Sequence, residues 1–302
     1  MRNIMYVARK KYVSTNEFGF RLVDLASRKE TFFTYDDVEC LVFDNLNCFF
    51  SAKVVNEAVK HNIGLLFCDE KHSPIVLAES VVGQADRLTR INSQLSFSSK
   101  MKKRMWRKIV IAKINNQADC TMEMKNDEAN AKAIQMIGKN VVDNDIHNNE
   151  AQAARKYFKA VFGKEFKRGR YDDLVNSCLN YGYSLLRATI RRQLVLHGTE
   201  PCFGIHHNSN HNPFNLSDDL IEPFRPFIDM IVIEIMNEID VQTFNWEIKQ
   251  KLFQVFFEKC IIDEKVYTVS DAIEVTVLSF INCIEQNSVS SLRLPSVIEG
   301  GR

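Results

Sequence analysis

The segment YVSTNEFGFRLVDLASRKETFFTYDDVECLVFD (residues 12–44) decides the fold class. It breaks into short alternating runs separated by turn-like residues, the pattern of strands with one buried face. ASRKE (26–30) reads as a turn into TFFTY, and CLVFDN (40–45) as a further strand. SAKVVNEAVKHN (51–62) then places Val54, Val55, Ala58 and Val59 at helical spacing, and IGLLFCD (63–69) follows as a buried strand. Residues 1–84 therefore read as a small β-rich domain with one helix, and GQAD (83–86) as a linker.

Beyond the linker the apolar period changes to i, i+3, i+4. Helices are expected near 87–119, 120–139, 150–163, 171–197, 217–238, 245–260 and 269–286. The expected class is α+β, with a larger all-helical domain over 85–287. KVYTV (265–269) is a short strand or a turn. SVSSLRLPSVIEGGR (288–302) reads as a mobile tail, with Leu292, Leu294 and Ile298 able to dock on a partner.

Composition fits a soluble globular chain: 45% hydrophobic and 25% charged residues. MRNIMYVARKKYVS has no apolar run long enough for a signal peptide. The most apolar window, MIVIEIM (230–236), is interrupted by Glu234 and is far short of a membrane span. Eight cysteines are scattered with no CxxC pair. They read as reduced core thiols, which suits a cytoplasmic protein.

The net charge of +1 conceals a polarised distribution. Arg87–Lys113 holds nine basic residues and no acidic one, while Ser217 onwards holds fifteen acidic against seven basic. Within the basic helix QLSFSSKMKKRMWRKIVIAKINNQ (94–117), the apolar stripe is Leu95, Met101, Met105, Trp106, Ile109 and Ala112. Trp106 belongs to the core on this reading. Lys103, Arg107 and Lys113 fall elsewhere, on the surface. A run of positive charge without counter-charge suits either a solvated face or a phosphate-binding one. Lys103, Arg104, Arg107 and Lys108 are its DNA-binding candidates, extended by Arg155, Lys156, Arg187, Arg191 and Arg192. In LNYGYSLLRATIRRQL (179–194), Tyr181 and Tyr183 could be core or could reach a phosphate.

Chemistry concentrates in FGIHHNSNHNPFNLSDDLIEPFRP (203–226). Ser217 is a candidate N-cap, which gives Asp218 a helix-capping explanation. Glu222 shares a face with Asp219 and precedes Pro223, where the helix should bend. His207 and His211 have the spacing of a helical zinc pair, but the surrounding Asn, Ser and Pro argue against a helix. One histidine joining the carboxylates on Mg²⁺ or Mn²⁺ is the simpler arrangement. In NNEAQAARKYFKAVFG (148–163), Glu150 lies on the buried stripe with Ala154, Tyr157 and Phe158. A carboxylate there needs a cation, an arginine, or a cap role. Asn148 or Asn149 is the candidate cap. No Walker loop, GxGxxG or GxSxG is present, which disfavours nucleotide hydrolases, dehydrogenases and serine hydrolases.

NEAQAARKYF (149–158), LNYGYSLL (179–186), FGIHH (203–207), FNLSDDLIEPFRPFID (214–229) and FCDEK (67–71) together resemble the CRISPR-associated integrases of spacer acquisition, the Cas-one family, in their type II form. The resemblance spans nearly the whole chain. It implies that Glu150, His207 and Glu222 are catalytic and hold Mg²⁺ or Mn²⁺, with Asp219 an acidic position close to the metal and His206 an adjacent second imidazole. It also implies a homodimer that assembles with a dimer of a small partner, Cas-two. The N-terminal domain would serve dimerisation and partner contact. The complex would take double-stranded DNA, both prespacer and CRISPR repeat, and other type II acquisition proteins would take part. Joining of 3′-hydroxyl ends to repeat borders is a transesterification, which needs no nucleotide fuel. Such a protein works in the prokaryotic cytoplasm, at the nucleoid, with no membrane partner. Two other classes remain open from the residues: a non-catalytic DNA-binding scaffold, and an RNA-directed phosphodiesterase using the same site.

Overall fold

The computed structural model describes residues 3–70, 74–78, 86–169, 171–238 and 243–298. Lys71 of FCDEK, most of GQAD and the end of the tail lie outside them. The chain divides into two compact units, residues 1–83 and 84–302.

The first unit carries two four-stranded sheets. In one, β1 (Asn3–Val7), β5 (Val38–Phe43) and β7 (Gly64–Cys68) run parallel, and β8 (Pro74–Ala78) closes the edge antiparallel to β7. In the other, β3 (Gly19–Asp24) lies antiparallel between β4 (Glu30–Thr34) and β2 (Lys11–Thr15), and β2 pairs in parallel with the short β6 (Phe49–Phe50). Alternation in β3 sends Phe20 and Leu22 inward and leaves Arg21 exposed. These inward residues join Val7, Val13, Leu41, Leu65 and, from helix α1 (Ala52–Lys60), Val54 and Ala58 in one core.

The second unit is built around α3 (Ser99–Lys125), a 27-residue helix. The expected helix over 87–119 is two. α2 (Arg87–Ser96) stops at buried Phe97, whose backbone leaves helical geometry, and Ser98 restarts the chain by accepting from the Met101 N–H at 3.4 Å. Nor does a break fall near 120. α3 ends at Asn126 in the left-handed conformation, and Asp127 caps α4 (Glu128–Lys139) by accepting from Asn130 N–H at 3.0 Å. α4 and α5 (Asn149–Phe162) pack on α3. α6 (Leu174–Leu196) packs on α8 (Arg225–Glu238) through Gly182. A Cβ there would lie 2.6 Å from the Ile228 side chain, so the glycine sets how closely these two helices approach.

This unit is not all-helical. Between α9 (Trp246–Phe253) and α10 (Val269–Glu285), a hairpin pairs β9 (Lys259–Ile262) with β10 (Lys265–Thr268). Nor is the segment from Ser288 to Ile298 a mobile tail. Ser296 exchanges two 2.9 Å backbone hydrogen bonds with Ile261 on β9, and Leu292 and Val297 are buried. Leu292 is thus committed to its own unit rather than to a partner. Buried Asn116 on α3 completes the attachment: its amide donates to the Pro295 carbonyl (2.9 Å) and the Pro223 carbonyl (2.8 Å), and its Oδ1 accepts from Val297 N–H (3.3 Å).

Among the described residues none of the eight cysteines forms a disulfide. Burial pushes the Cys178 and Cys260 thiols up to about 12. Among the described residues no helix is long and apolar enough to cross a membrane.

Candidate active site

Three segments distant in sequence meet beside α3. The first is the start of α5. Asn144, Asp145 and Asn148 all take positive φ, so the chain turns sharply into the helix. Asn148 occupies the N-cap position as expected, but its side chain makes no capping bond; Asp145 caps instead, its two carboxylate oxygens accepting from the Asn149 and Glu150 N–H groups at 2.9 Å each. This fixes Glu150 in the first turn, aimed at α3.

The second segment is the loop Gly204–His207. A Cβ on Gly204 would lie 2.0 Å from the His207 carbonyl oxygen, so only glycine permits the loop to fold back on itself. The loop is held by Asp219, which is fully buried and lies in α7 (Asn215–Leu220). Its carboxylate accepts from the backbone N–H groups of Ile205 (2.6 Å), His206 (3.1 Å) and His207 (3.1 Å). It also meets His207 Nδ1 at 2.7 Å, which raises the imidazole pKa above its usual range against the opposing pull of burial. His206 turns away and stacks on buried Trp106, centroids 4.3 Å apart and planes nearly parallel.

The third segment is the junction of α7 and α8. The expected N-cap at Ser217 is not found; α7 starts at Asn215, and Ser217 is buried inside it. The expected bend is present: Glu222–Phe224 forms one 3₁₀ turn around Pro223 before α8 begins. Glu222 is thereby buried at the break. Arg225 Nε donates to its Oε1 at 3.0 Å, and the guanidinium lies 4.5 Å over the Tyr183 ring.

Lys113 links the first and third segments. Its ammonium lies 2.6 Å from Glu150 Oε1 and 2.5 Å from Glu222 Oε2. Burial opposes the ammonium charge, but Glu222 and Glu150 outweigh it, and the Lys113 pKa rises. Burial likewise opposes charge on Glu222, yet Arg225 and Lys113 bring it down to about 2. His207 is near enough to Glu222 for each charge to shift the other's ionisation. Among the described residues no three His, Cys, Asp or Glu side chains are drawn together closely enough to hold a metal ion. The two glutamates close on an ammonium instead.

Lys113 is thus not a surface residue, as the sequence reading had it. It continues the stripe of Trp106 and Ile109, and is 7% exposed. The signal was present: Lys113 is i+4 from Ile109 and i+7 from Trp106. Beside it opens a cavity of about 350 Å³ lined by Gln117, Phe158, Arg168, Asn180, Tyr183, Glu222 and Arg225. Arg168, 5.1 Å over the Tyr183 ring, and Arg225 were both missed as site residues.

The other basic candidates divide. Arg107 donates to the Val141 carbonyl at 2.9 Å, and Lys108 to the Val289 carbonyl at 2.8 Å, so both hold the fold. Arg104 faces Asp143 at 3.8 Å, and Arg155 Nε donates to Ala151 O at 3.2 Å within its own helix. Arg187 and Arg191 lie over the Phe214 ring at 4.7 and 5.5 Å, with Arg187 also 3.7 Å from Asp218. Lys103 is exposed.

The sequence profile of the family CRISPR associated protein Cas1 matches residues 8–265. The CRISPR-associated endonuclease Cas1 of Neisseria meningitidis serogroup C is 34% identical over 264 residues, 87% of this chain and 86% of its own length. In fold, the chain is similar to a casposase bound to integration product, with a TM-score of 0.77 and 17% identity over 95% of this chain and 92% of the other. It is also similar to part of a Cas6-RT-Cas1–Cas2 complex, with a TM-score of 0.73 and 16% identity over 100% of this chain and 36% of the other. The chain belongs to the Cas1 family of CRISPR-associated proteins.

Proposed function

We propose that this chain is a metal-dependent DNA integrase and endonuclease of CRISPR adaptation, joining 3′-hydroxyl ends of short duplex DNA to CRISPR repeat borders. A nuclease or integrase role is supported by its family and by the likeness to the Neisseria endonuclease. The observation that carries the finer reading is the meeting of Glu150 and Glu222 at one buried cation position, with His207 close by.

The donor types, two carboxylates and an imidazole, suit a hard divalent cation, although with Lys113 between the glutamates the three side chains do not close on one point. Glu222 is a buried carboxylate whose Oε2 faces a cation, the Lys113 ammonium 2.5 Å away. Glu150, His207 and Glu222 would hold Mg²⁺ or Mn²⁺, which supplies neutralisation of the phosphate's non-bridging oxygens and orientation of the attacking hydroxyl. With Nδ1 turned to Asp219, His207 would have Nε2 left to hold the metal, as in carboxylate–histidine pairs. On this reading Asp219 is a positioning residue, not a ligand, because its oxygens are already taken. Arg225 and Arg168, both on Tyr183, line the cavity beside Lys113 and would bind backbone phosphate without reading bases. Transesterification conserves one phosphodiester, so these groups suffice without a nucleotide.

The partner reading follows the structural relative in complex with Cas2: a homodimer of this chain joined to a Cas2 dimer on double-stranded DNA, in the cytoplasm. The test is strand transfer of a 3′-hydroxyl duplex into a repeat-containing plasmid, with Cas2 and Mn²⁺. Glu222→Gln should lower the rate by about 10²-fold or more; an unchanged rate removes Glu222 from the reaction. One observation favours a second reading, a non-catalytic DNA-binding scaffold: Lys113 satisfies both glutamates without any metal. Saturable Mn²⁺ binding in the presence of DNA excludes it.

A further inference from the structure

We propose that Lys113 is a built-in counter-cation that occupies the metal position and is exchanged for the divalent ion on activation. This rests on the metal reading of Glu150 and Glu222 given above.

Three observations carry it. First, the ammonium stands between the two carboxylates that belong to different segments, touching one oxygen of each. A lysine that merely neutralised Glu222 would not need to reach Glu150 as well. Second, Glu222 is divided by oxygen. Oε1 has Arg225 as a donor at 3.0 Å, whereas the buried Oε2 has the Lys113 ammonium, 2.5 Å away, as its close cationic neighbour. Oε2 is therefore the oxygen that can change partner while Arg225 keeps the side chain in place. Third, the displaced ammonium has somewhere to go. Gln117 lies one turn along α3 from Lys113 and lines the same cavity, and its buried Oε1 has no hydrogen-bond partner among the described residues. A flexible four-carbon stem lets the charge swing from the carboxylates toward that acceptor. There it joins Arg168 at the cavity wall.

Without such a tenant, buried Glu222 and half-buried Glu150 would repel each other, which would favour separation of the α5 start from the α7–α8 junction. With it, the site is preformed before metal arrives. The cost is competition: the divalent ion must displace a positive charge that is already bound.

Titration of the full chain with Mn²⁺ by calorimetry, comparing wild type with Lys113→Met, tests this. A purely structural lysine predicts weaker Mn²⁺ binding in the variant, since the site loses its support. Exchange predicts the opposite sign: Lys113→Met binds Mn²⁺ about tenfold tighter or better, and its melting temperature, lower than wild type without metal, recovers when Mn²⁺ is added. Equal or weaker affinity in the variant, with wild type binding Mn²⁺ normally, overturns the exchange and leaves the metal reading intact. No binding by either protein overturns both. Should Lys113→Met fail to fold, a wild-type crystal soaked in Mn²⁺ decides. Lys113 Nζ out of contact with both glutamates supports the exchange; Nζ still bridging them beside a bound ion overturns it.

Discussion

His207 Nδ1 lies 2.7 Å from Asp219 Oδ1, and the same carboxylate accepts from three successive backbone N–H groups of the loop that carries His207. One buried side chain therefore sets both the path of the loop and the rotation of its imidazole. Replacing it with alanine deprives three part-buried backbone donors of their acceptor and leaves a void where a fully buried side chain stood. Asp219→Ala is expected to destabilise the fold by roughly 3 kcal/mol, read as a drop in melting temperature. Asp219→Asn keeps the shape but weakens the hold on the imidazole, and Mn²⁺ affinity should fall about 10–100-fold. Unchanged Mn²⁺ affinity in Asp219→Asn would show that His207 is oriented by something else.

Asn116 makes a separate prediction about the segment at Pro295–Val297. Asn116→Leu removes two donors and one acceptor, all buried, and should cost about 2–3 kcal/mol. Amide exchange should accelerate at Val297 and at Ile261, whose partner Ser296 sits in the same segment. Strand transfer should fall as well, because the Pro223 carbonyl bonded by Asn116 belongs to the turn that carries Glu222. Full protection at Val297 in Asn116→Leu would contradict this coupling.

Asp229 gives a pH dependence. Burial raises its pKa to about 6, although Tyr183 (2.5 Å) and Tyr157 (2.9 Å) both donate to its oxygens. The folded state then holds a proton that the unfolded state releases near pH 4. Between those values the native state binds more protons, so stability falls as pH rises, and the full loss is present above about pH 6. The shift corresponds to roughly 3 kcal/mol. Denaturant titrations from pH 4 to 7 should show wild type losing stability relative to Asp229→Asn across that window. A constant difference between the two proteins would place the Asp229 carboxyl outside the titrating range.

DNA contacts should sort by how each basic side chain is already employed. Arg187 and Arg191 flank Phe214 near the site, and removing both should lower the salt slope of DNA binding by about 2. Arg107→Ala should instead lower melting temperature with little change in slope, since its guanidinium holds the Val141 carbonyl. The reverse pattern, from binding isotherms across salt concentrations, would return Arg107 to the DNA surface.

Much of this was legible beforehand, and the gaps have physical causes. The β3 and β4 strands announce themselves because each alternates between a more buried and a wetter face, whereas β5 and β7 read as nearly continuous apolar runs. The break at Glu222 follows from Pro223, and the Asn-rich loop at 208–212 rules out a helical histidine pair. The β9–β10 hairpin was only half seen. Its two turn residues, Asp263 and Glu264, both take positive φ, and an Asp-Glu pair does not advertise that geometry as Asn-Gly would. Lys113 reads as a surface residue when charge is equated with exposure, although its helical position matches the buried stripe. The docked segment after Ser288 was missed for a different reason. Its attachment runs through backbone atoms, at the Ile261–Ser296 pair and at the buried Asn116 amide, whose three partners are all main-chain, and backbone partners leave no mark in a sequence.

That attachment bears on biosynthesis. A ribosome makes Glu150, His207 and Glu222 well before it makes Pro295 and Val297, so the nascent chain holds every proposed ligand while Asn116 still lacks two of its three bonds. A product terminated early would carry the full chemical set yet leave the turn under Glu222 unbraced. Such a truncated product is expected to be less stable and less active than the full chain, although no proposed ligand is missing from it.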